Sequence, residues 1–427
     1  MKQIVQNLIT KKAKKLIEQH KPIIITITGS VGKTSTRKTI AHVLSKKFNV
    51  GTTIENYNNE FGVPLSILGK KSPGKSVFGW LGILFSKQKK LPQVYVLELG
   101  IDHPGDMKHL CSIVNPDIAV FTAVSPVHLE FFPSIDALVE EKAYMLECVN
   151  EGGLAILNAD DPRVMGAAKH AKVDHKTFGF SQTAQIRASE FKLETRDDFS
   201  FEPGEQFSEI HARIDTEENT GELILANALG RVSVLSALAA FAVGEHLGMS
   251  LPEMIDAVRD VKQEPGRMNP IPAIKGALIL DSSYNAAPAS MASSLEVLSS
   301  FGVKENTKRI AVLGHMAELG PQTEQEHRVL GMRVAEHGVD MLVAVGERSK
   351  DTIHGAVEAG MSESSTHFFE TSEEAGRFLD REINKGDVIL VKGSQSARME
   401  KVVKDIMAEP QRAKELLVRQ KGKWIKE

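Results

Sequence analysis

Apolar and polar positions along this chain alternate with two periods, and their order predicts an α/β protein. Ile23-Ile24-Ile25-Thr26-Ile27-Thr28 is a β-branched run, and residues 37–46 form a helix-competent segment. Residues 94–99 and 117–123 read as buried strands, a helix over 135–148 carries Lys142, and residues 155–158 make a fourth strand. Strands alternating with helices, with polar residues at the strand ends, predict a parallel sheet with its site at the carboxyl edge. From about 172 to 229 the pattern shortens into alternating strands with glycine and acidic turns, an antiparallel excursion. Helices follow over 232–247 and 251–261, and Glu264-Pro265-Gly266 breaks the chain. Beyond it, residues 277–281, 309–313, 341–345 and 388–391 read as strands, with 366–369 a weaker one, and helices lie between them. This predicts an N-terminal amphipathic helix over 1–22, a central α/β domain over 23–265, which the glycine turn at 29–32 before Lys33-Thr34 marks as a phosphate-loop-containing ATPase domain, and a C-terminal doubly wound, Rossmann-like α/β domain over 266–427.

Three segments fit this scheme less tightly. Residues 1–22 carry Ile4, Val5, Leu8, Ile9, Ala13, Leu16 and Ile17 at helical spacing, with lysines on the other face. The expectation is a short helix packed on the first domain, with a peripheral contact to an anionic membrane surface as the sharper alternative. The polar loop at 55–63 leads to a helix expected to open at Pro64. The basic insert over 69–91, with Phe78, Trp80 and Phe85 between lysines, reads equally as a lid, a dimer contact or a membrane-touching loop.

Composition narrows the class. With 427 residues, 42% hydrophobic and 25% charged, the chain matches a soluble globular protein of two or three domains. A net charge of −3 argues against a molecule built for nucleic acid. Cys111 and Cys148, far apart in sequence, form no metal-ligand or disulfide pattern and are expected as reduced core residues. Lys11, Lys12, Lys14 and Lys15 interrupt the N-terminal apolar pattern, so no secretory signal is expected. The apolar stretch 77–85 falls far short of the roughly 20 residues a membrane span needs. The expected location is cytoplasmic; oligomeric state is not encoded in any pattern here.

The chemistry starts where the first strand ends. Gly29-Ser30-Val31-Gly32-Lys33-Thr34-Ser35 follows a strand and opens a helix, the arrangement that cradles a nucleotide triphosphate. Backbone N–H groups face the phosphates, Lys33 reaches the β/γ-phosphates, and the Thr34 hydroxyl is placed to ligate Mg²⁺. Only two residues separate the glycines, where the general motif has four. Glu98, at a strand end, is either a Mg²⁺ ligand or a solvent-facing carboxylate. His128 and Lys142, taken singly, read as ordinary structural or solvated side chains.

Taken in order, these segments resemble the Mur ligase family, and within it the MurF type. The resemblance runs from about residue 22 to 407. It is carried by Thr28-Gly29-Ser30-Val31-Gly32-Lys33-Thr34-Ser35, by Asn56-Tyr57-Asn58-Asn59-Glu60-Phe61-Gly62-Val63-Pro64 and by Leu97-Glu98-Leu99-Gly100-Ile101-Asp102-His103-Pro104-Gly105-Asp106. His128-Leu129-Glu130, Asn158-Ala159-Asp160-Asp161-Pro162, Pro265-Gly266-Arg267, Asp281-Ser282-Ser283-Tyr284-Asn285-Ala286 and Val391-Lys392-Gly393-Ser394 complete it. The shortened glycine loop is the family's own.

The resemblance implies amide ligation driven by hydrolysis of ATP to ADP and phosphate through an acyl phosphate. It implies D-alanyl-D-alanine joining a UDP-N-acetylmuramoyl-tripeptide in peptidoglycan assembly. It further implies one Mg²⁺ at Thr34 and a second held by Glu98, His128 and a carbamylated Lys142. Lys33, Lys142 and His128 become the catalytic set. Arg267, Asp281, Tyr284 and Asn285 approach the nucleotide from the second domain, and Asn58, Asn59 and Lys392 become substrate contacts. The family's UDP-sugar domain precedes the phosphate loop, and some 22 residues stand in that place here. Val232-Ser233 and Ser236 replace a usual His-Asn and Asn, Gly314-His315-Met316 replaces Gly-Asp-Met, and Gln395 replaces an Arg. Two alternatives stay open: a Mur-like ligase of another carboxylate, such as a cofactor precursor or other cell-wall polymer, and a nucleotide-switched binding protein.

Overall fold

The computed structural model describes residues 2–54, 57–86, 90–127, 129–196, 198–259, 261–302 and 304–425. In chain order the first half runs α1 (Lys2–His20), β1 (Ile23–Thr28), α2 (Lys33–Leu44), β2 (Val50–Thr52), α3 (Gly62–Ile67), α4 (Val77–Phe85), β3 (Val94–Glu98), α5 (Asp106–Ile113), β4 (Ile118–Phe121), α6 (Ile135–Glu147), β5 (Leu154–Asn158) and α7 (Pro162–Gly166). There follow β6 (His175–Gly179), β7 (Ile186–Thr195), β8 (Ser208–Asp215), β9 (Thr220–Ala226), α8 (Arg231–His246) and α9 (Leu251–Val258). The second half runs β10 (Asn269–Pro272), β11 (Leu278–Ser282), α10 (Pro288–Ser300), β12 (Arg309–Gly314), α11 (Thr323–Glu336), β13 (Met341–Val345), α12 (Lys350–Glu358), β14 (Thr366–Phe369), α13 (Ser372–Glu382), β15 (Val388–Lys392) and α14 (Glu400–Ile406).

The first nine strands make one sheet in the order β2-β3-β1-β4-β5-β6-β7-β8-β9, parallel as far as β7 and antiparallel beyond it. The unbroken apolar runs of β1, β3, β4 and β5 follow from burial on both faces. Successive side chains point to opposite sides. Ile25, Val96, Val120 and Ile156 join α2 and α8 in one core, while Ile24, Leu97, Phe121 and Leu157 join α1, α5 and α6 in the other. β8, by contrast, alternates buried and partly exposed positions, as an antiparallel strand covered on one side should.

Strands β10 to β15 form a second sheet, β10-β11-β15-β12-β13-β14, parallel except for β10. The α/β architecture expected from the sequence is the one observed. Strand β10 escapes the periodicity because Pro270 and Pro272 occupy half of it, and an edge is where a strand tolerates proline.

Several local expectations shift. α2 begins at Lys33 rather than residue 37, so the Lys-Thr pair lies in the helix's first turn. α3 begins at Gly62, ahead of Pro64, whose missing N–H costs nothing in a first turn. α9 stops at Val258 instead of residue 261. The basic insert holds a helix, α4, capped by the Ser76 hydroxyl accepting from Gly79 N–H. Cys111 and Cys148, 37 residues apart in sequence, become neighbours because α5 and α6 pack side by side, and the Cys148 thiol donates to Tyr144 O at 3.2 Å. Among the described residues no helix is long and apolar enough to cross a membrane.

Phe241, fully buried on α8, fills the space between that helix and the sheet. Phe241→Ala should cost about 3–5 kcal/mol, read as a lowered unfolding midpoint in denaturant.

Candidate active site

The carboxyl ends of β1, β3 and β4 meet where the chain turns through Gly29 and Gly32. Gly29 has φ +144°, and a Cβ there would lie 2.1 Å from Thr122 Oγ1. Thr122 in turn donates its hydroxyl to Val31 O at 2.7 Å, and Ser30 N–H donates to Ala123 O at 2.6 Å. The turn is thereby strapped to the end of β4. Gly32, at φ +85°, is the N-cap of α2 and brings no side chain, so the first-turn N–H groups face the cleft.

Four predicted residues converge beside this turn. The Thr34 hydroxyl donates to Glu98 Oε2 at 3.0 Å and accepts from Arg267 Nη2 at 2.9 Å. Asn58 Nδ2 donates to the other Glu98 oxygen at 3.1 Å. Arg37, which sequence reasoning missed, places Nε 3.7 Å from Glu98 and anchors itself on Thr52 Oγ1 and Thr53 O. Its only signal was a charged residue inside an otherwise core-facing helix turn. Arg267 also stacks over Tyr284, 4.0 Å from the ring centroid.

Lys33 and Lys142 share one acceptor. Lys33 Nζ lies 2.6 Å and Lys142 Nζ 3.4 Å from Gly29 O. Burial drives the Lys142 amine well below its usual pKa and the Lys33 charge adds to the effect, against the pull of Asp102 and Glu141. Burial also lowers Lys33, with Glu98 and Asp102 opposing it and Arg267 reinforcing it. Asp102 is a second residue the sequence reading did not single out.

The second sheet supplies the opposite wall. Lys392, at the end of β15, donates to Ser282 Oγ at 3.0 Å and to Asn285 O at 2.9 Å. Its pKa falls to about 7, through burial first and Arg267 second, with Asp281 opposing. Asp281 is fully buried, accepts from Ser283 N–H at 3.0 Å, and is raised to about 6 by burial. Its Oδ2 has no hydrogen-bond partner among the described residues.

A cleft of about 420 Å³ lies between the two sheets. Ser30, Val31, Gly32, Lys33, Thr34 and Ser35 line one side with Asn58, Asn59 and Glu98. Arg267, Tyr284, Asn285 and Lys392 line the other. Gly29, Lys142 and Asp281 sit behind its walls, and His128 lies outside the described residues. Of the positions that depart from the family pattern, Val232, Ser233 and Gln395 reach the cleft. Ser236 turns to Thr36 at 3.3 Å, and His315 Nε2 pairs with Ser396 Oγ at 2.9 Å.

This fold and cleft define a phosphate-loop α/β protein whose site is closed by a second α/β unit. The description "Mur ligase middle domain" matches residues 27–244, and "Mur ligase, glutamate ligase domain" matches 266–395. The chain belongs to the Mur ligase family, whose members are amide-forming, ATP-dependent ligases. It is similar to the UDP-N-acetylmuramoyl-tripeptide–D-alanyl-D-alanine ligase of Bacillus subtilis, 27% identical across 93% of this chain and 79% of that one. The Escherichia coli enzyme of the same name is 30% identical across 89% and 76%. Among solved structures, MurF from Acinetobacter baumannii superposes with a TM-score of 0.77 at 26% identity, covering 93% of this chain and 79% of that one. MurF from Thermotoga maritima, in complex with ADP, gives 0.76 at 25%, covering 94% and 83%.

The buried Lys392 amine has a pH signature. Between pH 7 and its ordinary value near 10.5, the unfolded chain holds the proton and the folded one does not. Stability should therefore rise with pH across that window, and Lys392→Met should remove this part of the slope. Unfolding midpoints measured from pH 7 to 9 in both proteins check it.

Proposed function

We propose that the chain joins D-alanyl-D-alanine to UDP-N-acetylmuramoyl-tripeptide at the expense of ATP, in peptidoglycan assembly. The observation that carries the reading is the Glu98–Thr34–Arg267 chain of hydrogen bonds, which ties the phosphate turn to the second unit across the cleft. The names of the relatives aligned over most of the chain support the two substrates. We also propose the division into a helix at 1–22 and domains at 23–265 and 266–427.

In this reading the substrate carboxylate attacks the γ-phosphorus, the bond to the bridging oxygen breaks, and ADP departs. The amine of the dipeptide then attacks the acyl phosphate carbonyl, loses a proton, and phosphate leaves. Lys33 and the N–H groups of α2's first turn stabilise charge on the transferring oxygens. Arg267 stacks with Tyr284 and brings positive charge from the second unit. Thr34 and Glu98, oxygen donors 3.0 Å apart, suit Mg²⁺, which when bound neutralises phosphate charge. A carbamate on Lys142, with Glu98 and His128, is the proposed second Mg²⁺ site. The lowered pKa supports it, because only a neutral amine adds carbon dioxide, and the product, on losing a proton, places an anion beside Lys33.

Phosphate release by the purified protein should require both UDP-muramoyl-tripeptide and D-alanyl-D-alanine. Indifference to that pair would transfer the same chemistry to another carboxylate, and slow hydrolysis without amide product would favour a nucleotide switch. Lys33→Ala should lower kcat by about 10²–10³-fold, measured in the same assay. Lys142→Ala should be largely inactive and partly restored by added short carboxylates; retained activity would return Lys142 to a structural role.

A further inference from the structure

α4 is a nine-residue helix, Val77-Phe78-Gly79-Trp80-Leu81-Gly82-Ile83-Leu84-Phe85, without one charged or hydroxyl side chain. Ile83 is buried, and Trp80 is tied back by its indole N–H donating to Gly74 O at 3.0 Å. The opposite face carries Val77, Phe78, Leu81 and Phe85, with Phe78 87% and Phe85 83% exposed. These four recur at helical spacing and form one apolar stripe.

α1 extends it. Lys12 Nζ donates to Ile83 O, Leu84 O and Ser86 O at 3.0, 2.6 and 2.9 Å, fastening α1 to the end of α4. Leu8, one turn before Lys12, is 45% exposed and Ile4 64%. Of the eight exposed large hydrophobic side chains among the described residues, six belong to these two helices, so the patch is not random scatter.

The charge around it selects the occupant. Residues 1–21 carry six lysines and one acidic residue, and residues 69–91 carry six lysines and none, in a chain of net charge −3. Lys11, Lys15, Lys75 and Lys90 are exposed. A second copy of this chain would bring the same lysines and repel, whereas an anionic bilayer accepts both the aromatic stripe and the cations. We propose that α1 and α4 together form a docking face for an anionic lipid bilayer, into which Phe78 and Phe85 insert while the lysines meet the headgroups. The proposal is independent of the ligase substrates.

The test is flotation of the full chain with vesicles of phosphatidylglycerol and phosphatidylcholine in equal parts, against phosphatidylcholine alone. Binding to the anionic vesicles only, weakened on raising salt from about 0.1 to 0.5 M, is expected. Phe78→Ser with Phe85→Ser, and separately Lys11→Glu with Lys15→Glu and Lys75→Glu, should each weaken it at least about tenfold with an unchanged unfolding midpoint. Absence of binding, equal binding to both vesicles, or a wild-type dimer that the Phe78→Ser/Phe85→Ser protein loses would each overturn the proposal.

Discussion

Everything at the cleft depends on how one buried carboxylate is paired and aimed. Glu98 is 5% exposed, and an unpaired carboxylate there would cost several kcal/mol. Thr34 and Arg37, both on α2, and Asn58, from the loop before α3, share that burden. Because Thr34 also accepts from Arg267, the position of the second α/β unit is registered on the same carboxylate. A change at any of the four disturbs the phosphate turn.

The turn is equally constrained from below. Thr122 and Ala123 hold its backbone from the end of β4, leaving no room for a side chain at Gly29. Lys33 and Lys142 then crowd a single carbonyl oxygen. Two ammonium groups in so dry a place disfavour each other, so the site holds a latent imbalance that an anion relieves. On the far wall Lys392 and Asp281 are also driven toward neutrality by burial. The cleft thus gathers ionisable groups whose charge states answer to what lies between the two units.

The division of labour between the sheets follows from topology. β1 lies between β3 and β4 in the parallel part of the first sheet, so the loops after these strands share one edge. β11, β15 and β12 do the same in the second sheet, which brings Asp281, Ser282 and Lys392 together. The peripheral helices α1 and α4 lie outside this machinery, joined through Lys12.

The strand–turn–helix order, the two α/β halves and the phosphate loop were legible as local pattern, because each depends on near neighbours in the chain. The sequence order of Glu98, Lys142, Arg267 and Lys392 marked them as a set only through resemblance to a family, since nothing local distinguishes a buried lysine from a solvated one. Contacts between distant segments decided the rest. Arg37 facing Glu98, the thiols of Cys111 and Cys148 meeting, the two amines on Gly29 O and the exposed face of α4 all arise from packing, which no periodicity records. Helix and strand propensity act over a few residues, whereas burial, and with it charge state, is set by whatever the whole chain folds against.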